Sequence, residues 1–213
     1  MNRSIETLLE KYPLWCGNQI THSQYSGIPT GFPELDALLP GGGWPVGALT
    51  EIQVTQRGIG ELRLLMPALA LLDKENRWLA WVAPPYIPYA PALVEQGINL
   101  GRILVIKPVN DADTLWAMEQ TLRSGVCGIV LAWMARIDGR SLRRLQLAAE
   151  AGQTMAVLFC NRHGPSPCAL RLYLERAKGK LAVHILKRRG SSVAAPLLLE
   201  MAAVRHSISG TDV

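Results

Sequence analysis

The chain has 213 residues, 49% of them hydrophobic and 18% charged, with a formal net charge of +5. That length suits one domain with a sizeable core, and the composition excludes a disordered chain. No uninterrupted apolar run reaches the ~18 residues of a membrane-spanning helix, and MNRSIETLLEKYPLW lacks a signal peptide's apolar centre, so a cytoplasmic protein with no membrane partner is expected.

Residues 2–16 have the spacing of a short amphipathic helix, with Ile5, Leu8, Leu9 and Tyr12 along one side and Pro13 disturbing its end. Residues 17–33 are polar, with Gly and Pro, and read as an arm running over the surface, so 1–33 forms the first unit. PTGFPELDALL predicts a helical turn, and PGGGWPVG predicts a loop. A regular alternation follows. ALTEIQV, RWLAWVA, RILVIKP, GIVLAWM and TMAVLFC predict strands. ELRLLMPALALLDKE (with Pro67 as a kink), YAPALVEQG, DADTLWAMEQTLRSG and GRSLRRLQLAAEAG predict helices between them. The strands are mostly continuous apolar runs, the pattern of a mostly parallel sheet buried between helices.

After Cys160 the texture changes to alternation. ALRLYLERAKGKLAVHILKRRG predicts a β-hairpin over 169–189 that turns at Ala177–Gly179, and PLLLEMAAV predicts a further strand. The main domain is thus expected over 34–204, with a frayed tail over 205–213.

Cys16, Cys127, Cys160 and Cys168 form no CxxC pair and have no histidine cluster beside them, so neither a metal site nor a disulfide framework is expected. The histidines are scattered, and no nucleophile set stands out; no catalytic residue and no cofactor is assigned. Asp111, Asp113 and Glu119 read as a helix-start and surface set. The positive charge lies late in the chain. Between Cys160 and Gly190 there are eight Lys/Arg and only one acidic residue, Glu175, whereas before Cys160 the balance is 13 basic to 14 acidic. This points either to a surface for nucleic acid or an acidic partner, or to a solvated face.

TGFPELDALLPGGGWPVGALTEI (Thr30–Ile52) resembles the approach to the phosphate loop of RecA recombinases, and QGINLGRILVIKPVNDADTLWAMEQTLRSGVCGIVLAWM resembles the following strand–helix–strand stretch. RWLAWVAPP and GIVLAW are similar to SulA, the cell-division inhibitor made in the SOS response. The long arm, the turn GIGEL and the ending CALRLYLE…VHILKRRG resemble ImuA, the RecA-like accessory protein of mutagenesis cassettes. The resemblance implies an α/β fold with a RecA-like P-loop-type core, a mostly parallel sheet between helices, and the C-terminal hairpin in addition.

A working phosphate loop needs glycines whose N–H groups surround phosphate, a lysine, and a hydroxyl on magnesium. On the matching positions the loop is degenerate: it opens at Val54, keeps Gly58 and Gly60, and has Glu61 and Leu62 where the lysine and hydroxyl belong. The metal-holding acid of the later strand is replaced at Ala132–Trp133, and Pro85 stands nearest the place of the water-activating carboxylate. Hydrolysis is therefore not expected, while binding without turnover stays open.

The surfaces are then expected to act. The arm offers Tyr12 and Trp15 to a partner; the hairpin offers Arg171, Lys187, Arg188 and Arg189 to DNA phosphates or an acidic protein, with Tyr173 and His184 available to stack on bases. By resemblance to ImuA, the chain is expected to be a non-catalytic accessory factor in SOS-induced, error-prone translesion synthesis. It would bind an ImuB-type hub, and further RecA, a specialised DNA polymerase or DNA. The alternative is a SulA-like cell-division inhibitor that binds FtsZ.

Overall fold

Strands that are mostly apolar along their length have to be covered on both sides, and that requirement organises the molecule. The structure is a computed structural model that describes residues 27–54, 56–161, 164–188 and 195–201. Tyr12, Trp15, Arg189, most of the expected arm and the expected tail lie outside the described residues. The described chain opens with β1 (Gly27–Ile28), α1 (Pro33–Asp36), β2 (Trp44–Pro45) and β3 (Ala48–Val54). Then come α2 (Met66–Lys74), β4 (Trp78–Val82), α3 (Ala90–Glu95), β5 (Ile103–Ile106) and α4 (Asp111–Arg123). It continues with β6 (Cys127–Trp133), α5 (Gly139–Gly152), β7 (Met155–Phe159), β8 (Leu170–Ala177), β9 (Lys180–Arg188) and β10 (Leu197–Leu199).

Eight strands form one sheet in the order β10-β9-β8-β3-β7-β6-β4-β5. The pairs from β8 through β3, β7, β6 and β4 to β5 are parallel, and β8–β9 and β9–β10 are antiparallel. β1 and β2 pair separately. Alternate side chains go to opposite faces. Leu79 and Trp81 of β4 join one buried cluster with Ile52, Leu65 and Leu69, while Ala80 and Val82 join the other with Met118, Leu142 and Leu145. The second face offers small sheet residues, Ala80, Ala132 and Ala156, to α4 and α5.

Helix ends follow local chemistry. Asn110 accepts the Asp113 N–H at 2.9 Å at the start of α4, and Asp138 accepts the Ser141 N–H at 2.7 Å at the start of α5. The hairpin turns through Lys178 and Gly179, with φ of 51° and 75°. Positive φ at both central residues is the turn whose twist matches two paired strands.

Two expectations need correction. The helix expected from Glu61 starts only at Met66, after a run of turns, and Pro67 sits in its first turn. There the missing N–H costs nothing, so Pro67 starts the helix and does not kink it. The RecA-like P-loop-type core is also corrected. The hairpin is not an addition beside a parallel sheet: it is hydrogen-bonded to β3 and makes one mixed sheet. The turn after β3 builds no phosphate cradle, because a side chain of the chain itself takes the N–H groups such a cradle would offer.

The tightest approach between helix ends is at Gly152. A Cβ there would lie 1.8 Å from the Leu122 carbonyl oxygen. Gly152→Ala is expected to destabilise the fold by about 1–3 kcal/mol through forced backbone displacement, lowering the thermal midpoint by several degrees in a calorimetric melt.

Candidate functional site

The turn after β3 is built around Glu61. Gly58 and Gly60 take φ of 80° and 113°, which a side chain would strain. Their N–H groups converge on one carboxylate: Glu61 Oε1 accepts from Gly58 at 2.9 Å and Oε2 from Gly60 at 3.2 Å. Glu61 is buried. The carboxylate thus occupies the seat that a phosphate takes in a nucleotide loop, and it brings the negative charge with it. Val54 ends the strand half-buried, and Leu62 packs against the core as an apolar side chain. Beside them Trp133 stacks on Phe159, with ring centroids 4.9 Å apart, and lies 5.8 Å from Trp81. Ala132 is buried and Pro85 half-buried. The ends of β3, β4, β6 and β7 therefore present aromatic and aliphatic groups.

A second polar centre lies at Glu51, fully buried in the middle of β3. Its Oε1 accepts the Ser166 hydroxyl, and Arg171 Nε lies 3.4 Å from Oε2. Arg171 also donates to the Gly164 carbonyl at 2.8 Å, the Cys168 N–H donates to Ser166 Oγ at 3.2 Å, and Lys187 donates to the Ser166 carbonyl. The cluster holds the connection from β7 to β8 at Gly164, Ser166 and Cys168. Burial, and next the Glu51 charge, push the Cys168 thiol up to about 11. Burial likewise raises Cys127, against the opposing charge of Arg77. Both are unreactive thiols at neutral pH.

This cluster decides where the hairpin's cations point. Arg171 and Lys187 turn inward to it, and Arg188 donates to the Leu38 carbonyl in the segment before β3. Tyr173 and His184 are in ring contact at 5.3 Å, and His184 Nε2 lies 2.9 Å from Glu175 Oε1. Arg176 and Lys178 at the hairpin tip remain exposed.

The structure also gathers residues that composition concealed. Glu119 is buried, not part of a surface set, and it pairs with Arg123 of its own helix at 3.2 Å and with Arg144 of α5. Arg140, Arg143 and Arg144 are all exposed on α5. The signal was the spacing in GRSLRRLQL, hidden by the even charge count before Cys160. A cleft of about 470 Å³ opens between the starts of α4 and α5, lined by Asp111, Leu115, Met134, Ile137, Asp138 and Ser141. The Ser141 N–H holds the Asp138 carboxyl below its ordinary range. Among the described residues, no group of three or more His, Cys, Asp or Glu is placed to hold a metal, and no helix is long and apolar enough to cross a membrane.

A filled turn, a buried ion cluster and aromatic strand ends sit on one mixed sheet with helices, an α/β protein of mixed strand direction. The family model described as cell division inhibitor SulA matches residues 47–156, more than half of the chain and the whole span from β3 into β7. The chain belongs to the SulA family. It is 33% identical to the cell division inhibitor SulA of Photorhabdus laumondii over 97 residues, which are 46% of this chain and 55% of that protein. It is 29% identical to SulA of Serratia proteamaculans over 113 residues, 53% of this chain and 67% of that protein. The chain thus spans about half the length of the Photorhabdus relative. A crystal structure of SulA from Pseudomonas aeruginosa superposes with a TM-score of 0.46 at 27% identity, covering 53% of this chain and 98% of that one.

These findings correct the sequence reading. The family is that of SulA, and its fold is a mixed sheet with helices; the RecA-like P-loop core and the ImuA-type translesion role are set aside.

Two measurements test the geometry. Glu61→Ala leaves two N–H groups without their carboxylate and is expected to cost about 1–3 kcal/mol in denaturant unfolding. Arg171→Ala strands the buried Glu51 charge and is expected to cost about 3–5 kcal/mol, with much of that recovered when Glu51→Gln is added.

Proposed function

We propose that this chain is a non-enzymatic inhibitor of cell division that acts by protein–protein contact with FtsZ. The observation that carries the reading is membership of the SulA family across the sheet core, β3 to β7, which is also the best-buried part of the molecule. Both curated relatives described above bear the name cell division inhibitor. The turn after β3 supports the non-enzymatic part. Its N–H donors are spent on Glu61, Leu62 offers no oxygen to a cation, and Trp133 fills the end of β6. These features support a reading in which the chain acts by contact and not by nucleotide hydrolysis.

Expression of the full chain in a dividing bacterium is expected to give long undivided filaments, and the purified chain is expected to reduce the amount of FtsZ that sediments as polymer. Cells of ordinary length together with unaffected sedimentation, when the chain is present and folded, would overturn the reading. Magnesium-dependent nucleotide turnover that disappears on changing Glu61 or Arg63 would overturn the non-enzymatic part separately.

A further inference from the structure

The outer side of α4 and α5 carries charge that the helices themselves do not want. Arg140, Arg143 and Arg144 are at positions i, i+3 and i+4 of one helix, and all three are exposed. Like charges at this spacing repel one another. They also occupy the first two turns of α5, whose first turn has no acidic residue. Cations there oppose the positive end of the helix dipole. Asp138 at the N-cap and Glu119 beneath Arg144 relieve part of this. The stripe continues into Leu147, 47% exposed at i+7 from Arg140. On α4, Trp116 is 63% exposed one turn before Glu119, and Arg123 is one turn after it on the same side. Two exposed apolar side chains thus stand on the same two helices as these guanidinium groups.

We propose that this surface docks a short acidic segment of a partner protein, one that alternates carboxylates with large apolar side chains. The carboxylates would pair with Arg140, Arg143 and Arg144, and the apolar groups would cover Trp116 and Leu147. Complementarity of both charge and polarity favours this occupant over a nucleic acid. Asp111, Asp113 and Asp138 border the stripe at the helix starts, and all are exposed. A phosphate backbone crossing the surface would meet these carboxylates, whereas a short segment ends before them.

The proposal stands apart from the division reading, since it concerns a surface and can fail while filamentation is still observed. The test uses the full chain and a labelled peptide alternating Glu or Asp with Leu or Phe, followed by anisotropy and by Trp116 fluorescence. The peptide is expected to bind in a salt-sensitive way. Arg140→Glu with Arg143→Glu, or the same two positions changed to Gln, is expected to raise its Kd about tenfold or more, and Trp116→Ala to raise it severalfold. The same arginine changes are expected to leave the melting midpoint unchanged or raise it by about 1–3 °C, because they remove repulsion. Three results would overturn the proposal: equal binding of a peptide with its apolar residues changed to Ser, tighter binding of an oligonucleotide of the same charge, or arginine variants that melt lower while binding is unchanged.

Discussion

A carboxylate buried in the middle of a sheet is a liability until something neutralises it, and the neutralisation of Glu51 shapes the C-terminal third of this chain. Removing its charge from water costs several kcal/mol unless a partner charge and hydrogen bonds compensate. The compensation comes from Ser166 in the crossover and Arg171 on β8. Ser166 in turn is held through its carbonyl by Lys187 of β9. One buried charge therefore binds together three strands and the connection between them. A crossover between parallel strands is ordinarily a helix, which satisfies its own backbone and covers the sheet. Here, among the described residues between β7 and β8, there is no helix, and side chains do that work: Arg171 takes the Gly164 carbonyl, Ser166 the Cys168 N–H, and Cys160, Cys168 and Ala169 are buried as the cover. A leucine at position 51 would supply burial without saying which segment crosses above it.

With β8 fixed on β3, the rest of the C-terminal sheet follows. β8 opposes Glu51 with Arg171 and Ile52 with Leu172, so its polar and apolar residues are sorted onto the correct faces. β9 and β10 extend the same pattern, placing Leu181, Val183 and Leu199 in the first core cluster. Arg188 then reaches the Leu38 carbonyl, which ties the hairpin to the segment before β3. The β3 edge is thereby closed, and β5 and β10 are left as the sheet's ends.

Much of this was legible in the sequence. Five apolar runs gave five strands, and alternation around Lys178–Gly179 gave the hairpin, because burial on both faces and burial on one face leave different periods. The direction of the basic side chains was not legible. A count of Lys and Arg cannot reveal that Arg171 stands in register with Glu51, since that pairing joins residues far apart in the chain. The start of α2 was missed for a local reason: Glu61 reads as a good helix-start residue, but its carboxylate is drawn back to Gly58 and Gly60. The family was misjudged because TGFPELDALLPGGGWPVGALTEI carried the resemblance to RecA and ImuA. The SulA match begins at residue 47, so it takes in only the last six residues of that stretch.

The carboxyl ends of the parallel strands are where an open α/β sheet ordinarily receives a ligand, with helix N-termini offering N–H groups to an anion. In this chain those donors are consumed internally. Glu61 takes Gly58 and Gly60, Asn110 takes Asp113, and Asp138 takes Ser141. Asp111 and Asp113 add further negative charge at the start of α4. The end of the sheet that would attract phosphate in a nucleotide-binding α/β protein is therefore electrostatically answered from within at these positions. Exposed positive charge lies instead on the flank, on the outward turns of α5, where Arg144 answers the buried Glu119 while Arg140 and Arg143 face outward.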